Sequence, residues 1–188
     1  MKIGIDIDDT ITNSTKTVKK YLKLYGKNYS DEETLMNNIN DIIRGFFVNE
    51  AISAFFSDYS LKISSELEVK EDAVEIINKL KEEGNEIIII TARSNNYYKD
   101  VDTYCKEFLD SKGIKYDKLI TGQKYKIEAC KKEKIDIMFD DAVDTCEDIN
   151  KNGIEGILFN SEINENIKTD CKRVSTWKEV YDYIHSKN

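Results

Sequence analysis

Residues 2–10 of the chain read Lys-Ile-Gly-Ile-Asp-Ile-Asp-Asp-Thr, a short apolar run that ends in a group of acidic residues. Side chains alternate along a strand, so a strand over Lys2–Asp8 would direct Asp6 and Asp8 to the same side. In an open α/β sheet, ligands bind at the carboxyl ends of the strands. This stretch predicts a first strand that ends in two converging carboxylates, although a polar turn over Asp8–Thr12 would give the same pattern.

Short aliphatic runs alternate with amphipathic stretches along the rest of the chain, which is typical of strands and helices that alternate around a parallel sheet. Several of these runs are aliphatic throughout, as strands buried on both faces are. The pattern predicts an α/β fold with a three-layer, Rossmann-like parallel sheet. The further predicted strands are Glu86–Thr91, Lys118–Thr121, Ile135–Phe139, Ile154–Phe159 and Lys172–Val174. The predicted helices between them are Val69–Glu83, Tyr97–Lys112, Lys124–Lys134, Ala142–Lys151 and Thr176–Ile184.

One region interrupts this alternation. Residues 16–68 contain helical patterns over Ser30–Ile43 and Phe46–Tyr59 but no convincing strand. We therefore predict a single domain whose core consists of residues 1–15 and 69–188, with a small helical cap inserted after the first strand.

Composition excludes several classes of protein. The 188 residues include 28 Lys and Arg against 36 Asp and Glu, a formal net charge of −8, which argues against a nucleic-acid-binding protein. The longest aliphatic run, Ile87–Ile90, is far shorter than the roughly 20 apolar residues of a membrane span. No export signal is recognisable at the N-terminus, so we expect a cytoplasmic protein without membrane partners. A single histidine and four scattered cysteines leave carboxylates, lysines, arginines and hydroxyls as the candidate catalytic groups.

A second acidic pair, Asp140-Asp141, follows the predicted strand Ile135–Phe139. If the two acidic strand ends meet, their repulsion requires a cation, and an all-oxygen ligand set favours Mg²⁺. Alternatively, the pair complements the dipole of the helix that follows.

Two further stretches offer groups that bind anions. Thr91 ends an aliphatic strand and is followed by Ala92 and Arg93, so that a hydroxyl, backbone N–H groups and a guanidinium are available to a phosphate. An ordinary strand-to-helix turn is the alternative. Lys124 and Lys126 lie at the start of a predicted helix, and one of them could reach the same strand ends.

These motifs, in this order, resemble the four motifs of the haloacid dehalogenase-like (HAD) hydrolase superfamily: Asp6-x-Asp8-x-Thr10, Thr91, a lysine at a helix start and Asp140-Asp141. Within the superfamily, the chain is similar to nucleotidases related to 5′(3′)-deoxyribonucleotidases. The similarity rests on the stretch Ile90-Thr91-Ala92-Arg93, the early helical insertion and the spacing Lys126-x-x-x-Cys130. Those nucleotidases often carry glycine at the position of Asp9, where this chain departs from them.

The resemblance implies a role for each matching residue. Asp6 would be the nucleophile and Asp8 the general acid and base, while Thr91 and Lys126 would hold the phosphoryl group, with Lys124 as the alternative lysine. Mg²⁺ would be bound by Asp6, the main-chain carbonyl of Asp8 and Asp141, with Asp140 in support. Asp140-x-x-x-Asp144 is a competing register.

The implied activity is Mg²⁺-dependent hydrolysis of a phosphomonoester through an aspartyl-phosphate. The expected substrate is a small phosphorylated metabolite such as a nucleoside or deoxynucleoside monophosphate. A sugar phosphate or phosphoglycolate is an alternative, as is a HAD fold without catalysis that binds or regulates. In the cap, Arg44 is a candidate substrate-binding residue. The cap aromatics could stack on a base, but Phe47, Ala51, Phe55 and Tyr59 recur every four residues, which favours helix packing.

Overall fold

A computed structural model of the chain describes residues 1–29, 42, 50–96 and 98–187. Six strands form one parallel sheet in the order β3-β2-β1-β4-β5-β6. The first strand is therefore central, between the second and the fourth, and this order confirms the predicted Rossmann-like α/β class. The strands are β1 (Lys2–Ile5), β2 (Glu86–Ile90), β3 (Lys118–Ile120), β4 (Ile137–Asp140), β5 (Glu155–Phe159) and β6 (Arg173–Val174).

Seven helices lie in the described part of the chain, and those that follow the strands cover both faces of the sheet. They are α1 (Ser14–Tyr29), α2 (Glu50–Ser65), α3 (Ala73–Glu82), α4 (Val101–Ser111), α5 (Ile127–Glu133), α6 (Val143–Lys151) and α7 (Trp177–His185).

The alternation of strand side chains divides the core between the two faces. Ile87 and Ile89 of β2 belong to a large buried cluster that includes residues of α3, α4 and α7. Ile88 and Ile90 belong to a second cluster with residues of α5 and α6. Because both faces are covered, these strands are apolar throughout, which is why their sequence runs are continuous rather than alternating.

Each predicted strand is present, but several boundaries differ. β1 ends at Ile5 rather than at Asp8, because the chain turns after Asp6 and Asp9 adopts a left-handed conformation with φ 53°. The helix predicted from Val69 begins at Ala73, because Asp72 is also left-handed, with φ 61°.

Two helices of the predicted insertion pack together through aromatic side chains. The ring centroids of Tyr21 in α1 and Tyr59 in α2 lie 5.4 Å apart, as do those of Tyr25 and Phe55. The Tyr25 hydroxyl also donates to the carbonyl of Ala51, at 2.9 Å. Phe55 and Tyr59 therefore serve helix packing in this structure.

An antiparallel pairing of Thr12 with Val69 joins the two ends of this segment. Most of the predicted helix Ser30–Ile43 lies outside the described residues, as do Arg44 and Phe47. The division into a core and a cap of residues 16–68 remains a prediction. None of the helices that the structure describes has both the length and the apolar character of a membrane span.

Candidate active site

Three buried carboxylates converge at the carboxyl ends of the two central strands β1 and β4. Asp6 follows β1, Asp140 ends β4, and Asp141 comes next. Each offers an oxygen within 4.8 Å of the others. The backbone N–H of Asp6 donates to the carbonyl of Phe139 at 3.0 Å, which extends the pairing of the two strands to the site. The acidic strand ends that the sequence predicted therefore meet.

Lys126 is the cation of this group. Its Nζ donates to Asp140 Oδ2 at 2.5 Å and also to Asp6 Oδ1. Lys126 is buried directly before α5, whereas Lys124 is exposed. The geometry thus brings Lys126, and not the alternative Lys124, to the carboxylates. Asp144, the competing acidic residue, is exposed on α6 and does not belong to the group.

The charges of this group do not cancel. Burial raises the pKa of Asp6 to about 7 although Lys126 opposes the increase, and burial with the neighbouring carboxylates raises the pKa of Asp141 well above its usual range. Burial lowers the pKa of Lys126, but Asp140 and Asp6 outweigh it and the net shift is upward. Ionisation of all three carboxylates beside this one ammonium would leave two negative charges in surplus, which is why the pKa values of Asp6 and Asp141 are raised. An all-oxygen donor set with this surplus fits a hard divalent cation such as Mg²⁺.

A polar loop after β5 holds Asp141. Asn164 is 1% exposed, and its Nδ2 donates to the carbonyls of Asp141 and Phe159, each at 2.8 Å. The Ser161 hydroxyl donates to Asp141 Oδ2 at 3.3 Å. Sequence reasoning missed both residues, because a polar loop residue carries no signal of which strand end it contacts.

Asp8 lies apart from the carboxylate group and is paired with an arginine. Arg93 donates from Nε to Asp8 Oδ2 at 2.8 Å and from Nη2 to Asp8 Oδ1 at 2.7 Å. The Ser14 hydroxyl donates to Oδ1 at 2.5 Å. Burial raises the pKa of Asp8, but Arg93 and Ser14 outweigh burial and bring it below its usual value.

This arrangement differs from the sequence-based expectation. Because β1 ends at Ile5, strand alternation does not direct Asp6 and Asp8 to a common point. The carboxylate of Asp8 contacts Arg93, whereas the predicted metal ligand is the main-chain carbonyl of Asp8, which stays a prediction. Arg93, which we expected to offer its guanidinium to an anion, offers it to Asp8 in this structure.

The hydrogen bonds of Asp9 explain how the chain tolerates aspartate at a position where the related nucleotidases often carry glycine. Its φ of 53° lies in the left-handed region that glycine adopts at little cost. Its side chain accepts the backbone N–H of Thr15 at 3.0 Å and also the Thr15 hydroxyl. Asp9 therefore satisfies a donor at the start of α1, and these bonds offset the conformational cost.

Thr91 is fully buried at the end of β2, beside β1. Its Oγ1 accepts the backbone N–H of Arg93 at 3.2 Å, so the hydroxyl proton of Thr91 can be donated elsewhere. The side chain thus offers a donor at the strand ends, where the sequence predicted one.

A cavity of about 680 Å³ opens beside Asp8 and Arg93. Its wall combines apolar side chains with serine hydroxyls, and Ala92 and Lys124 lie at its border. A separate, highly charged cavity of about 730 Å³ adjoins Asp9 instead. Besides Ala92, the apolar and hydroxyl-bearing residues of the first cavity are Ser14, Val18, Ile42, Ser53, Phe56, Ser60, Ile63, Ser64, Leu67, Ser94 and Tyr98.

Comparisons with known proteins agree with this geometry. Residues 1–188 match the family described as 5′ nucleotidase, deoxy (pyrimidine), cytosolic type C protein. The chain is 25% identical to a nucleotidase of Clostridium acetobutylicum over 186 residues, which are 98% of this chain and 93% of the relative. It is 29% identical to YqfW of Bacillus subtilis, whose name also refers to a nucleotidase, over 99% of this chain and 94% of the relative.

Solved structures show the same fold. A crystal structure described as a predicted phosphatase from Clostridium acetobutylicum superposes with a TM-score of 0.71 at 16% identity, over 98% of each chain. A HAD phosphatase from Thermococcus onnurineus superposes with a TM-score of 0.67 at 15% identity, over 98% of each chain. The family match covers the whole sequence and confirms the resemblance read from its motifs. The chain therefore belongs to the 5′ nucleotidase, deoxy (pyrimidine), cytosolic type C family, and is an enzyme of the HAD-like phosphatase class.

Proposed function

We propose that this protein hydrolyses the phosphomonoester of a small metabolite, a deoxyribonucleoside monophosphate, in a Mg²⁺-dependent reaction through an aspartyl-phosphate on Asp6. The observation that carries the proposal is the convergence of Asp6, Asp140 and Asp141 with Lys126 at the ends of the central strands. Two surplus negative charges in a buried site are unfavourable unless a cation joins them.

The metal would be held by Asp6, Asp141 and the main-chain carbonyl of Asp8, with Asp140 in support. When bound, Mg²⁺ neutralises phosphate oxygens that would otherwise repel an attacking carboxylate. Lys126 supports the same task, because its ammonium bridges Asp6 and Asp140 and is positioned to contact a phosphoryl oxygen.

The reaction has two steps. In the first, the Asp6 carboxylate attacks phosphorus, the ester P–O bond breaks, and the departing oxygen takes a proton from Asp8. In the second, water gives a proton to Asp8 and attacks phosphorus, and the bond to Asp6 breaks to release inorganic phosphate. Both carboxyl groups are thereby restored.

Thr91 would stabilise the transferring phosphoryl group. Because its Oγ1 accepts from the Arg93 backbone, its own proton is oriented away from that bond and can be donated to a phosphoryl oxygen. Phosphoryl transfer depends mainly on positioning and electrostatic stabilisation, which the hydroxyl of Thr91 and the ammonium of Lys126 supply.

The cavity beside Asp8 supports a nucleoside-sized leaving group. Its volume of about 680 Å³ and its mixed apolar and hydroxyl lining suit a base and a sugar. The family description and the names of the relatives refer to nucleotidases. Arg44, as a substrate-binding residue of the cap, belongs to the same proposal. Sugar phosphates and phosphoglycolate are the alternative substrates.

Phosphate release from purified protein tests the proposal, with deoxyribonucleotides, ribonucleotides, sugar phosphates and phosphoglycolate as substrates, each with and without Mg²⁺. We expect the highest kcat/KM for a deoxyribonucleotide, and no turnover by Asp6→Asn. The matched control is Asp144→Asn, which removes an exposed carboxylate of the same acidic region. Full activity of Asp6→Asn would refute the assignment. No phosphatase activity in the wild type would favour a binding or regulatory protein.

A further inference from the structure

We propose that the charged cavity beside Asp9 is a second ligand site, which binds a sugar phosphate. The site is separate from the carboxylate group of the active site and from the cavity beside Asp8. Binding there does not depend on the proposed activity of Asp6.

The charged cavity lies at the edge of the sheet where ligands of open α/β folds bind. Among its lining residues, Asn160 and Ser161 follow β5, and Ser175 follows β6. Its volume of about 730 Å³ is in the range of cavities that hold small molecules. Position and size therefore suit a small phosphorylated compound.

Arg173 brings a positive charge to this cavity without a carboxylate partner. Its Nη1 donates to Asn160 Oδ1 at 2.7 Å and to Asn164 Oδ1 at 3.2 Å. Its Nη2 donates to the main-chain carbonyls of Asn164 and Ile167, at 3.3 and 2.6 Å. All four acceptors are neutral, and no carboxylate in the described part of the chain forms an ion pair with the guanidinium. The group is therefore held in place with its charge uncompensated and its Nε–H left as a donor.

Lys70 supplies a second charge of the same kind. Its Nζ lies 4.8 Å from the ring centroid of Phe159, and it forms no hydrogen bond or ion pair with any residue that the structure describes. Burial lowers the pKa of this half-buried lysine, although Asp9 and Asp141 oppose the decrease from beyond ion-pair distance. The ammonium thus lacks the acceptor that an anion in the cavity would supply.

The lining is locally positive although the whole chain is acidic. Glu162 pairs with Lys19 at 2.6 Å, and Lys16 pairs with Glu68 at 3.7 Å, so these two charges of the lining have partners elsewhere. The remaining lining presents three cations to two carboxylates, whereas the chain carries a net charge of −8. Such a surplus favours an anionic ligand. The charged lining residues are Lys16, Lys70, Lys168 and Arg173 with Asp9, Glu162 and Glu165.

The uncharged part of the lining indicates the body of the ligand. The Ser175 hydroxyl accepts from Asn160 Nδ2 at 2.7 Å, so its own proton can be donated to a ligand oxygen. Ile167 is the one apolar side chain among the described lining residues, and none of them is aromatic. Hydroxyl and amide groups can bind the hydroxyls of a sugar, whereas this wall offers no ring on which a base could stack.

Calorimetric titration of the metal-free protein near neutral pH, with inorganic phosphate and with glucose 6-phosphate, tests the proposal. Without metal, the active-site carboxylates disfavour a phosphate there. We expect glucose 6-phosphate to bind at a single site and more tightly than phosphate. Lys70→Gln and Arg173→Gln should each weaken binding about 10-fold, as for loss of one hydrogen bond to a charged group.

Two further variants serve as controls. Lys70→Arg keeps the charge and a donor, and should retain most of the affinity. Lys106→Gln removes an exposed lysine of α4 that pairs with Asp110 at 2.6 Å, and should leave binding unchanged. If Arg173→Gln does not fold, Lys70→Gln gives the same test, because the Lys70 ammonium holds no other described residue in place.

Several results would overturn the proposal. Absence of binding by both probes would show that the cavity is not a ligand site, and equal weakening by Lys70→Gln and Lys106→Gln would show only general attraction to surface charge. Binding that survives Lys70→Gln and is lost in Thr91→Val would place the anion in the active site. Phosphate that binds as tightly as glucose 6-phosphate would refute the sugar phosphate as ligand. Because no turnover is measured, a failure of the proposed hydrolysis would leave each of these results unchanged.

Discussion

Asp6 and Asp8 lie two positions apart in the chain, and their surroundings differ in charge. Asp6 belongs to a buried group in which three carboxylates share one lysine, so negative charge remains in surplus. Asp8 is paired one to one with Arg93. The pKa of Asp6 is accordingly raised and that of Asp8 is lowered. The contrast teaches that the same residue type can have opposite pKa shifts, because Asp6 shares its lysine with Asp140 whereas Asp8 has an arginine to itself.

Removal of the shared lysine should have the largest effect on this contrast. In Lys126→Met, two buried carboxylates lose the one cation that pairs with them among the described residues, so we expect the metal-free protein to lose about 3–5 kcal/mol of unfolding free energy. We also expect kcat to fall about 10²- to 10³-fold, as for loss of one transition-state donor. Urea unfolding and steady-state kinetics measure the two effects. Lys124→Met, at the exposed lysine two positions earlier, is the control. Comparable losses in both variants would contradict the assignment of Lys126, rather than Lys124, to the buried carboxylates.

The second prediction concerns the surplus charge itself. Asp141→Asn removes one buried negative charge, so the metal-free protein should become more stable at pH 8, by about 2 kcal/mol, while its thermal stabilisation by Mg²⁺ disappears. Thermal unfolding with and without Mg²⁺ measures both changes. Asp144→Asn should change neither. If Asp141→Asn were destabilised and still responded to Mg²⁺, the carboxylate group would not be the metal site.

The same measurement has a defined pH dependence. Because the pKa of Asp6 is raised to about 7 and that of Asp141 is also raised, the folded protein binds protons more tightly than the unfolded chain. Without metal, the contribution of these two groups to stability should be greatest below the unfolded pKa of about 4 and should be lost as pH rises through about 7. Mg²⁺ competes with these protons, so the increase in Tm that it causes should be larger at pH 8 than at pH 6. A constant increase would contradict this linkage.

The smallest predicted effect distinguishes the backbone conformation of Asp9 from the hydrogen bonds that its carboxylate accepts. Asp9→Gly and Asp9→Ala both remove the carboxylate that accepts from Thr15, but alanine also incurs the cost of a left-handed φ. We expect Asp9→Ala to be about 1 kcal/mol less stable than Asp9→Gly in urea unfolding. Asp9→Asn, which tolerates this φ and can still accept the bond, should lie nearest to wild type. Equal stability of the alanine and glycine variants would show that the turn relaxes.

Much of the fold was predictable because its signals are local. The aliphatic runs at β1, β2 and β4 are continuous since both faces of the sheet are covered, and parallel strands bring their carboxyl ends to one edge. The meeting of Asp6 with Asp140 follows from that rule. The boundaries of the first strand and of helix α3 were harder to predict, because the left-handed conformations of Asp9 and Asp72 depend on contacts outside these elements.

The choice of partner for each charged side chain was not predictable. Lys124 and Lys126 are both near a helix start, and only the beginning of α5 at Ile127 places one of them in the buried site. The guanidinium of Arg93 was expected to be available to a phosphate. It pairs instead with Asp8, which lies 85 positions earlier, and no local pattern indicates that pairing. Asn164 carried no signal at all, although it holds the main chain at Asp141.

The sequence by itself determined the chemical types of the active groups, their order along the chain and the edge of the sheet where they end, since strand burial and alternation are set by neighbouring residues. Only the tertiary structure decided which cation pairs with which carboxylate. These pairs join residues 85 or 120 positions apart, and their energies depend on burial and distance, which exist only once the sheet and its helices have packed.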